Sequence, residues 1–221
     1  MIKSNRTLLR FTIYLLAMAP LVVAVAGCTA IATFAWVVDP NDVDAEYDGL
    51  KERRVAVICR MPDVLSYQHH NVPQKLTEAV NRLLKENVDK IDIVAQSDVE
   101  EWADHHELTS YKDLGLATNA DAVVVLELTH FRVRKGRTTL QGEATVSAAV
   151  YNGQTGDIEH RLQTVDSRYP PNNGIAAEIS DDRFEARFRR RFIGVLSDQV
   201  ARHFYDYDSR QAVKVDRFYR E

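Results

Sequence analysis

Cysteine is nearly absent from this chain of 221 residues: there are two, Cys28 and Cys59. That scarcity excludes a disulfide framework and a zinc site built on paired cysteines. An excess of positive charge is lacking too, since 28 Lys plus Arg stand against 32 Asp plus Glu, a net charge of −4. General nucleic-acid binding takes its affinity from neutralised phosphates and calls for the opposite balance. There is no Gly-rich phosphate loop, no Gly-x-Ser-x-Gly elbow and no His-Glu-x-x-His pair, so the commonest signatures of phosphoryl transfer, serine hydrolysis and zinc proteolysis are missing. Neither an internal repeat nor a low-complexity tract occurs. The composition favours no enzyme class and implies no cofactor.

What is present starts at the amino terminus. Lys3, Arg6 and Arg10 precede a stretch from Phe11 to Val38 with no charged residue, and Val25-Ala26-Gly27 leads into Cys28 within it. A basic region, an apolar run and small residues before a cysteine have the form of a bacterial lipoprotein signal. The expectation is cleavage between Gly27 and Cys28, with a diacylglyceryl group on the Cys28 sulfur and an amide-linked acyl chain such as palmitate. Several acyl chains, at about 0.8 kcal/mol per buried CH₂, hold a protein on a bilayer persistently where one does not. The alternative is an uncleaved signal anchor, because the same run is long enough to cross a hydrocarbon core of about 30 Å. Pro20 interrupts it. Both readings place the rest of the chain outside the cytoplasm, with basic residues before the run and Asp39, Asp42 and Asp44 after it. Thr29, in place of an Asp after the cysteine, favours the outer over the inner membrane.

The chain therefore divides into a signal peptide (1–27), a lipidated tether (28–52), an α/β domain (53–206) and a flexible tail (207–221). Val55-Ala56-Val57-Ile58-Cys59 is a strand apolar on both faces, hence central in its sheet. Leu76, Val80, Leu83 and Leu84 after Pro73 spell an amphipathic helix, and Ile91 to Ala95 a second strand. Ser97 with Glu100 has the spacing of a capping box for a helix reaching His106, and a short helix follows from Ser110 to Thr118. Residues 122–133, 138–151 and 157–168 read as three strands joined as hairpins. Asn152-Gly153-Gln154-Thr155-Gly156 is the second turn, where Asn and Gly tolerate positive φ. A long helix from Ser180 to Tyr205 closes the order, with Phe184, Phe188, Phe192 and Leu196 on one side. This βα-βα(α)-βββ-α order predicts an α+β mixed sheet with helices packed on it.

Four segments carry a resemblance. They are Arg54 to Val57, Asp92-Ile93-Val94 with its following helix, Leu114-Gly115 to Asn119-Ala120-Asp121-Ala122-Val123-Val124, and the Val150 to Gly156 hairpin. Behind a lipidation signal, this order resembles a group of envelope proteins built on one small α/β unit. It includes the amino-terminal domain of TolB, the penicillin-binding-protein activator lipoprotein and the curli-secretion lipoprotein. The resemblance implies a non-catalytic binding or assembly role at the envelope, in transport, secretion or wall synthesis, with an envelope protein or further copies of the chain as partner. The shared motifs are structural, so they transfer a fold and almost no mechanism.

Candidate sites are few. Cys59 on an apolar strand reads as a small core residue before it reads as a nucleophile. His69-His70 and His105-His106 are adjacent pairs whose side chains diverge, so loop or helix-end positions suit them better than metal ligation; a ligand receptor or enzyme using them is the rival class. Tyr169-Pro170-Pro171 is either a docking loop or a stiff crossover into the long helix. Arg187, Arg190 and Arg191, with Arg183 and Arg189, form either a docking cluster or the solvated face of that helix.

Overall fold

A computed structural model describes residues 42–63, 69–106, 110–176 and 182–209, which belong to one unit beginning at Asp42. In chain order the elements are β1 (Asp42–Val43), β2 (Arg54–Arg60), α1 (Val72–Asn87), β3 (Asp92–Ile93), α2 (Gln96–His105), α3 (Tyr111–Thr118), β4 (Ala122–Arg134) and β5 (Thr139–Asn152). Then come β6 (Ile158–Arg161), β7 (Val165–Tyr169), β8 (Ile175–Ala176), α4 (Asp182–Ala201), a 3₁₀ turn (Arg202–Phe204) and β9 (Tyr207–Asp208). The main sheet runs β3-β2-β4-β5-β6, with β7 and β8 also on β5. Strand β2 is parallel to β3 and β4, and the β4–β5 hairpin is antiparallel, so the fold is α+β with a mixed sheet.

Each element follows from where its apolar groups go. Val55 and Val57 of β2 face a core shared with Leu76, Val80 and Leu84 of α1 and with Phe192, Leu196 and Val200 of α4. Ala56 and Ile58 point the other way, to Val94, Val99 and Leu114. That alternation makes an uninterrupted apolar strand necessary: both faces are covered. Beyond Leu128 the long β4–β5 hairpin outruns β2, and it buries Phe131, Val133, Leu140 and Ala144 in the core that α4 shares. Gly142 makes room there, since a Cβ on it would lie 2.5 Å from the Phe192 ring. Among the described residues no helix is long and apolar enough to cross a membrane.

Three expectations change. The folded body is wider than 53–206: β1 pairs with β9, Leu50 is fully buried, and the Tyr47 N–H donates to the His203 carbonyl at 2.9 Å. The strand expected over 157–168 is two strands, β6 and β7, separated by an irregularity at Leu162–Thr164. There the Leu162 N–H stays on the Ala148 carbonyl while the Gln163 N–H turns to the Glu46 carboxylate at 2.9 Å. The third change is the capping box. Helix α2 starts at Gln96, the Ala95 carbonyl receives the Asp98 and Val99 N–H groups, and the Ser97 hydroxyl bonds the Asp98 carboxylate at 3.1 Å. Ser97→Ala should therefore lower the unfolding free energy measured in urea by less than about 0.5 kcal/mol, where a working cap is worth about 1 kcal/mol. A loss of cap size would restore the box.

Candidate functional site

In an open sheet with parallel strands, ligand sites form outside the carboxyl ends of strands whose connections leave in opposite directions. Here the chain leaves β2 toward β3 and later returns on the other side as β4, so that place lies between the ends of β2 and β4. Two adjoining depressions of about 370 and 430 Å³ occupy it. Arg60, Met61, Asp63, Glu127 and Thr129 line the first. The second adds Cys59, His70, Gln74, Gln96, Glu100 and Asp104.

Part of this crevice's polar lining is engaged within the wall itself, while the buried Gln96 side-chain oxygen has no partner among the described residues. Burial pushes the Cys59 thiol up to about 12, against a smaller opposing effect of a Leu128 backbone hydrogen bond, so the sulfur keeps its proton at neutral pH and is a poor nucleophile. The Arg60 guanidinium donates to the Tyr111 hydroxyl at 2.9 Å, which favours its charged form. Tyr111 packs against Tyr151 with ring centroids 4.4 Å apart. The Gln96 amide donates to Glu100 at 2.6 Å and to the Gln74 carbonyl at 3.2 Å, and the Gln74 amide reaches Glu100 at 3.3 Å. Such a wall suits holding a polar group better than moving a proton.

The histidine pairs keep separate surroundings. His69 meets the Phe131 ring edge-on at 5.1 Å, and burial together with nearby Arg189 lowers its pKa. His70 lines the crevice. At the other end of α2, His105 and His106 each donate from Nδ1 to the carbonyl four residues back, Glu101 at 2.7 Å and Trp102 at 2.9 Å, closing the helix. His106 also stacks on Trp102 at 4.8 Å. Among the described residues no group of three His, Cys, Asp or Glu is placed to hold a metal ion.

Of the proposed site residues, Gly27 and Cys28 lie outside the described residues. Tyr169 is corrected from docking to core: it is 4% exposed, and its ring packs 6.0 Å from that of Phe188. Pro170 is half-buried, its carbonyl taken at 3.1 Å by the buried Gln141 amide, while Pro171 is exposed. Arg187 and Arg190 are exposed and Arg191 is half-buried. The Arg187 guanidinium sits 5.9 Å over the Phe184 ring. The fold brings the Pro-Pro loop and the arginine helix together, because Tyr169 and Phe188 join them. It also adds what the sequence did not reveal, the β4–β5 tip, whose Arg134 reaches Glu185 of α4 at 2.6 Å.

Sequence reasoning also missed a clasp on the amino-terminal arm. Glu46 accepts from His203 Nδ1 at 2.6 Å and lies 3.6 Å from His160. Arg53 forks onto Glu159 at 2.7 and 2.9 Å, and Tyr47 and Asn152 donate to the same carboxylate at 2.6 and 2.9 Å. The one signal available was Leu50, an isolated apolar residue in an otherwise polar stretch.

No protein-family model matches the chain, and no curated protein matches it. Solved structures do. A lipoprotein of Neisseria meningitidis is 13% identical, covers 67% of this chain and 97% of its own, and superposes with a TM-score of 0.40. The LpoB C-terminal domain from Salmonella enterica is 13% identical over 56% of this chain and 87% of its own, with a TM-score of 0.37. The PelC dodecamer subunit from Paraburkholderia phytofirmans is 10% identical over 74% of this chain and 95% of its own, with a TM-score of 0.36.

Proposed function

We propose that this chain is a lipid-anchored cell-envelope protein, facing the periplasm from acyl groups on Cys28, whose α/β domain serves as a non-catalytic binding or assembly accessory. The observation that carries the reading is Val25-Ala26-Gly27-Cys28 at the end of a charge-free apolar run behind Lys3, Arg6 and Arg10. The body supports binding over catalysis. Its best-placed crevice offers a protonated Cys59 and a Glu100 carboxylate already engaged by the Gln74 and Gln96 amides. The outer membrane is the favoured site on Thr29, and the partner is an envelope protein or a further copy of the chain.

Labelled palmitate and intact mass, measured on membrane fractions of wild type and Cys28→Ala, test this. Wild type should begin at Cys28 and carry acyl mass; the variant should keep Met1 and lose all label. A wild-type protein with Met1 intact and a bare Cys28 thiol would overturn the lipid anchor and establish the uncleaved signal anchor in its place.

A further inference from the structure

The chain is acidic overall, yet a dense cluster of its basic side chains lies at one end. Arg134, Lys135 and Arg137 form the tip of the β4–β5 hairpin, and Arg183, Arg187 and Arg190 lie along the first half of α4 beside it. Two carboxylates at this end are each shared by two guanidiniums. Glu185 holds Arg134 at 2.6 Å and Arg189 at 3.0 Å, and Glu143 holds Arg132 at 2.5 Å and Arg168 at 3.4 Å. Among the described residues no carboxylate lies within ion-pair distance of Lys135, Arg137, Arg183, Arg187 or Arg190, although Asp182 shares the first turn of α4. All five are exposed. At the opposite end, where β2 and β4 begin, Asp89, Asp92, Asp98 and Asp121 lie around Arg54, and the neighbouring Arg53 and Lys90 are paired with Glu159 and Glu52. Exposed basic side chains thus mark the hairpin-tip end, and an excess of carboxylates the other.

We infer that the arginine-rich end docks on the anionic headgroups of the bilayer in which the protein is anchored, turning the acidic end away. The inference rests on the lipid anchor proposed above. Two features favour a bilayer over an acidic protein. These charges are spread over a hairpin tip and a helix flank, matching an extended field of phosphates more than a keyed partner surface. The stretch from Cys28 to Asp42 reaches at most about 50 Å at 3.3–3.6 Å per residue, so a lipidated chain keeps this end within reach of its own membrane. Each basic residue near an anionic surface adds about fivefold to the docked population, and salt screens the effect.

The full chain is reconstituted in vesicles carrying a headgroup quencher, with a fluorophore on Ala186→Cys among the arginines or on Glu101→Cys on α2, both exposed positions. Vesicles are phosphatidylcholine alone or phosphatidylcholine with phosphatidylglycerol. The expected result is quenching at position 186 about fivefold above that at 101, only with phosphatidylglycerol. It should vanish in high salt and in Arg183→Glu/Arg187→Glu/Arg190→Glu. The Lys135→Glu/Arg137→Glu pair, on the hairpin tip, should weaken it without touching the helix. Equal quenching at both positions, or quenching indifferent to phosphatidylglycerol, overturns the inference and gives the surface to an acidic protein. Flotation with phosphatidylcholine vesicles reads the anchor separately. A chain that floats without preference at 186 sinks only the docking, whereas one that fails to float sinks the anchor.

Discussion

Gly153→Ala should cost about 3 kcal/mol, at the upper end of the range for overpacked sites, and lower the melting temperature by roughly 6–12 °C. The glycine sits in the β5–β6 loop, where a Cβ would lie 2.0 Å from the Ala120 carbonyl oxygen. Its neighbour in this joint is Gly115 of α3, whose Cβ would fall 2.2 Å from the Gly153 carbonyl. Both obstacles are backbone, so no side-chain rotation relieves them. The joint is also hydrogen-bonded: the Gly153 N–H donates to the Asp121 carbonyl at 2.9 Å, and the Ala120 N–H to that of Gly115 at 2.8 Å. Moving the loop outward to admit a methyl would break the first of these. Gly136→Ala is the comparison, because Gly136 has φ +75 with nothing within 4 Å of its Cβ position. It should cost only the left-handed backbone penalty of about 1–2 kcal/mol. Equal losses in urea or thermal unfolding of the two variants would show that the interlock is soft.

That joint explains why two stretches stood out in the sequence. Leu114-Gly115 to Asp121 and Asn152 to Gly156 each read as a local device, a helix end and a hairpin turn, and locally they are. Asn119 closes α3 at φ 52, and the Asn152 side chain accepts the Gln154 and Thr155 N–H groups at 3.0 Å each. What the local patterns could not express is that the two touch: the positive φ expected of this loop falls on Gly156, at φ 81, while Gly153 serves the close contact. The same limit governs the rest. Apolar periodicity exposed β2, α1, β4, β5 and α4, because burial on one or two faces writes itself into the residue order. It could not expose β1, β9 or the arm around Glu46, which are held by polar contacts between residues more than a hundred apart. The arginines of α4 were visible as a run. Their union with the Arg134–Arg137 tip was not, because it depends on a hairpin outrunning its neighbour strand.

The arm's polar fastening leads to a pH dependence. The hydrogen bonds from Arg53 hold the Glu159 carboxyl down at about 2 against an ordinary 4.5, with burial opposing and Tyr47 and Asn152 assisting. The Tyr47 hydroxyl, pushed up to about 12 by burial and by Glu159, remains a donor at neutral pH. Because the folded state binds the Glu159 proton less readily than the unfolded chain, this cluster stabilises the fold fully above about pH 5. The contribution declines as pH falls from about 4.5 and is gone below about 2. At about 1.4 kcal/mol per pH unit the gap is worth about 3 kcal/mol; with both side chains 23% exposed, solvent screening brings that to about 2 kcal/mol. Glu159→Gln removes the charge while keeping the shape. It should lose about 2 kcal/mol at pH 7, and less as the pH falls, until variant and wild type converge near pH 2. Urea unfolding of both proteins along that pH series measures the difference. A gap that stays constant from pH 7 to pH 2 would mean that Glu159 acts by packing alone, leaving the arm fastened through Leu50 and the Glu46 clasp.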